Sequence, residues 1–332
     1  MKSYLVFLLA IVTGLLYALS TRLIFGLHID WPGRDFTSGA MLVSFAFIFV
    51  MPFAAGYITA YVAKPGTSLV YCLLAPWITV VLLLFFSFIF ALEGLICIVM
   101  VLPVFLLMGS FGGLTAYFVG RAGKNINTVV LCSVVLLPFL TIPVENNIES
   151  EKEFVAVQTS IMINSTDDKV WDNIVRVYEI DEKENESTFF LFMGFPRPIK
   201  AELDKEGIGG VRIAEFDRGL YFTETVTEWD PKKSFTFTID ADPNSIPLSA
   251  LDEHVTVGSK YFDVLEGKYE LEPVEGGVVL HLTSKFVMST SFNFYSKIWC
   301  KAIMKDIQDN ILHVIKRRCE GTTNNSSSYN HK

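Results

Sequence analysis

The chain has 332 residues, enough for two domains, and 51% of them are hydrophobic. Charge is unevenly divided: residues 1–145 carry six Lys/Arg and four Asp/Glu and the remainder 21 and 31, so the C-terminal half is at −10 and the first at +2, for a net −8. That acidic half excludes a nucleic-acid partner, which needs a basic face, and excludes docking on anionic lipid headgroups by charge alone.

A bilayer span needs about 20 mostly apolar residues. Residues 4–27 supply a first span, which is long for a signal peptide, lacks a small-residue cleavage site and is read as retained. Residues 36–63 supply a second. The stretch 68–119 is too long for one span and breaks best at Glu93-Gly94, giving a third and a fourth. Residues 127–144 supply a short fifth. Pro52, Pro76, Pro103 and Pro138 fall one in each later span, where neighbouring helices re-satisfy the freed backbone. Gly109 and Gly113 form a GxxxG, read as a close helix crossing. With five spans, Lys2, Lys64, Arg121 and Lys124 share one side, opposite Arg34, Glu93 and the acidic run 145–153. Positive charge marks the cytoplasmic side, so the N-terminus is expected there and the soluble part outside. Miscounting one span reverses this. Glu93 is placed at a turn and read as solvated, so residues 1–145 are expected to anchor rather than to conduct.

Residues 146–320 read as one soluble domain, and 321–332 as a disordered, Ser/Asn-rich tail. Residues 154–163 alternate, with Val155, Val157, Thr159, Ile161 and Ile163 on one face of a strand. Thr166 or Asp167 then caps a short amphipathic helix carrying Val170, Trp171, Ile174, Val177 and Tyr178. Residues 181–188 read as loop. Strands are expected at 210–216, 220–228, 234–240, 261–272 and 278–288, and a long helix at 292–318. The stripe of that helix is Phe294, Ile298, Ile303, Ile307, Ile311 and Val314. The order predicts an α+β domain, a curved antiparallel sheet gripping one helix with room for an apolar cavity between them.

Cys72, Cys97 and Cys132 lie in apolar runs. Cys300 and Cys319 fall on the long helix about 28 Å apart at helical rise, too far to pair. Neither the cysteines nor His254, His281 and His313 have metal-ligand spacing, and His281 is expected on the outer face of its strand. No metal, no cofactor and no recognisable catalytic set is expected. Gly207-Ile208-Gly209-Gly210 lacks the Lys-Ser/Thr of a phosphate loop and leads into a strand.

Three stretches carry a family resemblance: "VQTSIMINSTDDKVWDNIVRV", "GIGGVRIAEFDRGLYFTETVTEWDP" and "YSKIWCKAIMKDIQDNILHVIKRR". Over about residues 153–319 the chain resembles the START-related helix-grip superfamily of polyketide cyclase/dehydrase and lipid-transport domains. The second stretch is similar to a bacterial subgroup in which this domain follows membrane helices. The resemblance implies a cavity for a hydrophobic ligand such as a lipid, sterol, quinone or polyketide. It does not imply catalysis.

The hairpin permits one specific deduction. Asp217-Arg218-Gly219 makes a three-residue loop with Gly219 at the left-handed position. That pairs Phe216 with Leu220, Ala214 with Phe222 and Arg212 with Glu224, all on one face. Arg212 and Glu224 are then an ion pair on an apolar concave wall, either fixing the hairpin register or holding a ligand's polar head. Phe216, Phe222, Trp229 and Arg197 complete the ligand-binding candidates, although the leading reading of Trp229 is turn packing and that of Arg197 a solvated loop residue. The expected function is membrane-anchored binding or transfer of a hydrophobic ligand, with membrane lipids and an apolar small molecule as partners. The alternatives are an enzyme using Glu224 or another cavity carboxylate as base, and a sensory or structural module that binds a protein.

Overall fold

The structure, a computed structural model, describes residues 2–27, 29–31, 34–36, 42–63, 68–121, 128–145, 150–181, 184, 188–241, 257–258 and 261–321. The expected tail beyond Gly321, and with it His254, Lys64 and Lys124, lies outside the described residues. The chain divides into two compact units, Met1–Glu151 with Thr290–Phe292, and Lys152–Ser289 with Asn293–Lys332.

The first unit is helical. It contains α1 (Lys2–Phe25), a small ladder of β1 (Ile29–Trp31) and β2 (Arg34–Phe36), α2 (Met51–Val62), α3 (Leu69–Ile89), α4 (Leu95–Arg121) and α5 (Thr128–Glu145). Three helices among the described residues are long and apolar enough to cross a membrane: Tyr4–Phe25, Leu69–Ile89 and Leu95–Arg121. The apolar helices Ala46–Val62 and Val129–Glu145 are shorter. Of the expected span 36–63, the apolar helix among the described residues is Ala46–Val62, and Phe36 belongs to β2. Pro52 has no N–H to return to residue 48, and the backbone widens into a π-turn over Ala46–Val50. The break between α3 and α4 falls at Glu93-Gly94 as read.

Small residues bring these helices together. Gly56 of α2 lies against the Gly109 carbonyl of α4, and Gly113 of α4 lies against the Cys72 carbonyl of α3. Glu93 is not a solvated turn residue. Its carboxylate accepts from Arg22 Nε at 2.7 Å, with the two side chains only 13% and 8% exposed, and Arg22 Nη2 also donates to the Leu92 carbonyl at 2.6 Å. The turn gathers a carboxylate and a carbonyl on one guanidinium, which is what a half-buried charge requires.

The second unit is α+β. Its elements are β3 (Glu153–Ile163), α6 (Asp167–Val175), α7 (Phe189–Phe192), β4 (Pro198–Leu203), β5 (Val211–Phe216), β6 (Tyr221–Asp230), β7 (Ser234–Asp240), β8 (Phe262–Val274), β9 (Gly277–Met288) and α8 (Asn293–Glu320). The seven strands form one antiparallel sheet in the order β3-β9-β8-β7-β6-β5-β4. It curls around α8, the expected helix-grip arrangement. The core between them contains Ile163, Ile174, Phe235, Leu280, Leu312 and Ile315. One buried polar residue pins the helix to two strands. Gln308 accepts from Thr159 Oγ1 at 2.7 Å and donates to the Val157 carbonyl at 3.1 Å and to Ser284 Oγ at 2.9 Å. All its hydrogen-bonding groups are thus engaged in a place water does not reach.

Three local expectations change. α6 stops at Val175 because Arg176 is extended (φ −128, ψ 113), so Val177 leaves the helix to bridge Ala201 and Tyr178 is exposed. α7 and β4 are additional elements; β4 alternates only weakly, with Ala201 and Leu203 inward and Lys200 and Glu202 outward. The expected stripe of α8 begins too early. Phe294 and Ile298 are exposed, and the buried line runs through Ile303, Met304, Gln308, Leu312 and Ile315.

Burial pushes the Cys300 thiol up to about 12 and the Cys319 thiol up to about 11. The thiolate is the nucleophile, so both are inert at neutral pH. We expect iodoacetamide at pH 8 to leave both unmodified in the folded protein and to label both after denaturation, as read by peptide mass spectrometry. Labelling of either in the native state at the rate of a free thiol would contradict the packing around α8.

Candidate functional site

The register derived for the hairpin is the register observed. Phe216 N donates to the Leu220 carbonyl at 2.7 Å, Ala214 faces Phe222 and Arg212 faces Glu224. Gly219 is left-handed (φ 80), and Arg218 beside it is left-handed too (φ 58). Arg212 and Glu224 are 4% and 6% exposed and face the interior of the grip. Their contact is direct, Arg212 Nη1 donating to Glu224 Oε2. Arg212 Nη2 donates to the Ile174 carbonyl at 3.4 Å, and the guanidinium lies 5.6 Å from the Phe237 ring centroid. The guanidinium is thus held by a carboxylate, an α6 carbonyl and an aromatic face. Arg212 Nε is buried and has no hydrogen-bond partner among the described residues.

Tyr269 of β8 is a further member of the set. It is 3% exposed and hydrogen-bonded to Arg212. Burial raises its pKa to about 12, so it stays a neutral phenol whose oxygen accepts from the guanidinium. Burial works against the charge on Arg212, but the Glu224 carboxylate and the Tyr269 hydroxyl outweigh it and hold its pKa above the usual guanidinium value. Burial likewise raises Glu224 above the ordinary carboxyl range, with Arg212 pulling the other way. The wall beside this set is aromatic. Phe237 lies directly opposite Gly267, and any side chain at Gly267 would strike the Phe237 ring. An isolated Gly in a strand marks close approach, and this was the available sequence signal for Phe237.

The other candidates are distributed. Phe216 and Phe222 meet edge to face at 5.3 Å in a half-buried cluster with Leu220, Ala241, Val257 and Phe195, nearer the sheet end where β4 and β6 begin. Trp229 packs edge to face with Trp171 at 5.1 Å and beside Phe235, against the core cluster that also holds Phe237 and Tyr269. Arg197 is exposed, and its carbonyl accepts from Asp217 N at 2.8 Å, tying the hairpin loop to the start of β4. The geometry therefore brings together Arg212, Glu224 and Tyr269, with Phe216 and Phe222 along the same wall. His281 is on the outer face, bonded to Ser160 and Glu272. Among the described residues no group of three His, Cys, Asp or Glu could hold a metal ion.

No protein-family model matches the chain, and no curated protein matches its sequence. Solved structures align with half of it. The solution structure of the Aha1 dimer from Colwellia psychrerythraea matches at 16% identity and TM-score 0.29, covering 50% of this chain and 96% of that one. The crystal structure of Ara h 8.0201 matches at 12% identity and TM-score 0.32, covering 50% and 98%. A putative uncharacterized protein from Rhizobium leguminosarum matches at 12% identity and TM-score 0.32, covering 51% and 99%.

Proposed function

We propose that the chain is a membrane-anchored module that takes a hydrophobic ligand (a lipid, quinone or polyketide-like molecule) into the grip between sheet and helix. The observation that carries this is the buried Arg212–Glu224–Tyr269 set on an aromatic wall, with Arg212 Nε left without a partner among the described residues. An unmade hydrogen bond in a water-excluded interior costs on the order of 1–3 kcal/mol, and an acceptor on a ligand would recover it. Phe216, Phe222 and Phe237 supply apolar surface for the ligand body, and burial of that body drives binding. The helical unit, with three helices of spanning length, keeps the module where apolar molecules are concentrated. In this reading all five apolar helices are embedded, the N-terminus is cytoplasmic and residues 146–320 lie outside.

An enzymatic reading draws on Glu224 alone, whose raised pKa suits a base. Its direct engagement by Arg212 favours binding over proton abstraction.

Full-length protein purified in a mild detergent is expected to release one apolar molecule per chain on denaturation, identified by mass spectrometry. A chain that carries none, and that takes up neither a fatty acid nor a quinone nor a sterol when these are supplied, would overturn the reading.

A further inference from the structure

The sheet of the second unit has two chemically different ends. By the strand register, β3, β4, β6 and β8 start at one end, β5, β7 and β9 finish there, and α8 begins there with Lys297 bridged to Glu153. This end carries Phe154 (70% exposed) at the start of β3, Tyr221 (42%) at the start of β6, and Phe294 (67%) and Ile298 (63%) on the first turns of α8. α7, six residues before β4, adds Phe189 (53%) and Phe192 (76%), and its Phe190 N donates to Asp306 of α8 at 3.3 Å. The opposite end is charged, with Lys232 bridged to Asp168, Arg176 to Glu206 and Arg318 to Glu184. Of the exposed large apolar side chains described in this unit, Tyr178 (72%), Ile208 (71%) and Val274 (37%) belong to that opposite end, against six at the aromatic one.

So many exposed large rings are costly in water, and their concentration at one end marks an interaction surface. Aromatic rings with basic neighbours suit the headgroup layer of a bilayer, where an apolar body and a polar edge are both accommodated. Lys297, Lys301 and Lys305 run along the same helix as Phe294 and Ile298. In the sequence the aromatic end is the tethered one: Glu153 follows Glu145, the last residue of α5, by only eight residues. We infer that the aromatic end of the grip inserts into the lipid headgroup layer, so that ligand passes between bilayer and grip without crossing water. This deepens the membrane-anchored reading and rests on it.

The test uses full-length chain in nanodiscs of phosphatidylcholine and phosphatidylglycerol, with p-benzoylphenylalanine placed singly at Phe192, Ile298 and Ile208. Irradiation is expected to give lipid adducts at the first two positions and at least tenfold fewer at Ile208, by intact-mass spectrometry. Equal labelling at all three, or adducts to protein only at Phe192 and Ile298, overturns the inference. Alkaline carbonate extraction of native membranes separates the two claims. A chain that is released fails the anchored reading, whereas one that stays without lipid adducts fails only the insertion.

Discussion

Replacing Arg212 by Met is expected to destabilise the sheet unit by about 3–5 kcal/mol, because it leaves Glu224 buried without its counter-charge. The carboxyl has nowhere to move: it is 6% exposed, and its strand is bonded on both sides, to β5 and β7. It responds by taking up a proton, so its folded pKa rises further above the unfolded value. A group raised in this way favours folding below its unfolded pKa, and that contribution is lost as pH rises through the folded pKa. The deficit of Arg212→Met should therefore be largest at neutral pH and shrink towards pH 4. The double variant Arg212→Met/Glu224→Leu removes both charges, and its stability is expected to return to wild type or exceed it. Urea titrations followed by far-ultraviolet circular dichroism at pH 4 and pH 7 measure all three chains. If the pair served only the hairpin register, the double variant would keep its ligand. The binding reading expects that it folds and yet co-purifies with at least tenfold less. A double variant as unstable as the single one would show that the charges hold the fold through contacts beyond each other.

Much of this site was legible because a hairpin is a counting problem. Once Gly219 is placed at the left-handed position of a three-residue loop, every pair above it follows by steps of two, down to Arg212 opposite Glu224. The alternation of β3 and the helix at the C-terminus were equally local. Tyr269 was not legible, since it reaches Arg212 only by the pairing of β7 with β8, across a connection that no short-range pattern specifies. β4 leaves little sequence signal because an edge strand with Lys200 and Glu202 outward buries little apolar surface. The stripe of α8 differs from its sequence pattern for a related reason: apolar spacing records which residues share a face, not which face meets the sheet. Gln308, buried and fully bonded, belongs to the packed face, while Ile298 does not. Glu93 looks solvated in sequence because its partner is 71 residues away on α1.

The GxxxG of α4 separates in the same way, and here the structure predicts opposite outcomes for two glycines that look equivalent in sequence. A methyl at Gly113 would overlap the Cys72 carbonyl of α3, a backbone atom that cannot yield unless the helix moves. A methyl at Gly109 would meet Pro76 Cβ at 3.4 Å and Val80 Cγ2 at 3.5 Å, ordinary contact distances. Gly→Ala within a helix gains about 1 kcal/mol of intrinsic propensity, so Gly109→Ala should be neutral or stabilising. Gly113→Ala receives the same gain but forces α3 and α4 apart, and overpacking of this kind costs about 1–3 kcal/mol or more. Gly56→Ala should behave like Gly113→Ala, because its methyl would overlap the Gly109 carbonyl. Gly109 thus matters as the surface that Gly56 approaches rather than for lack of space around its own Cβ. Thermal unfolding in detergent micelles is expected to show lower midpoints for Gly113→Ala and Gly56→Ala and an unchanged or higher one for Gly109→Ala. Equal losses at Gly109 and Gly113 would mean that the crossing of α2, α3 and α4 is not the one described.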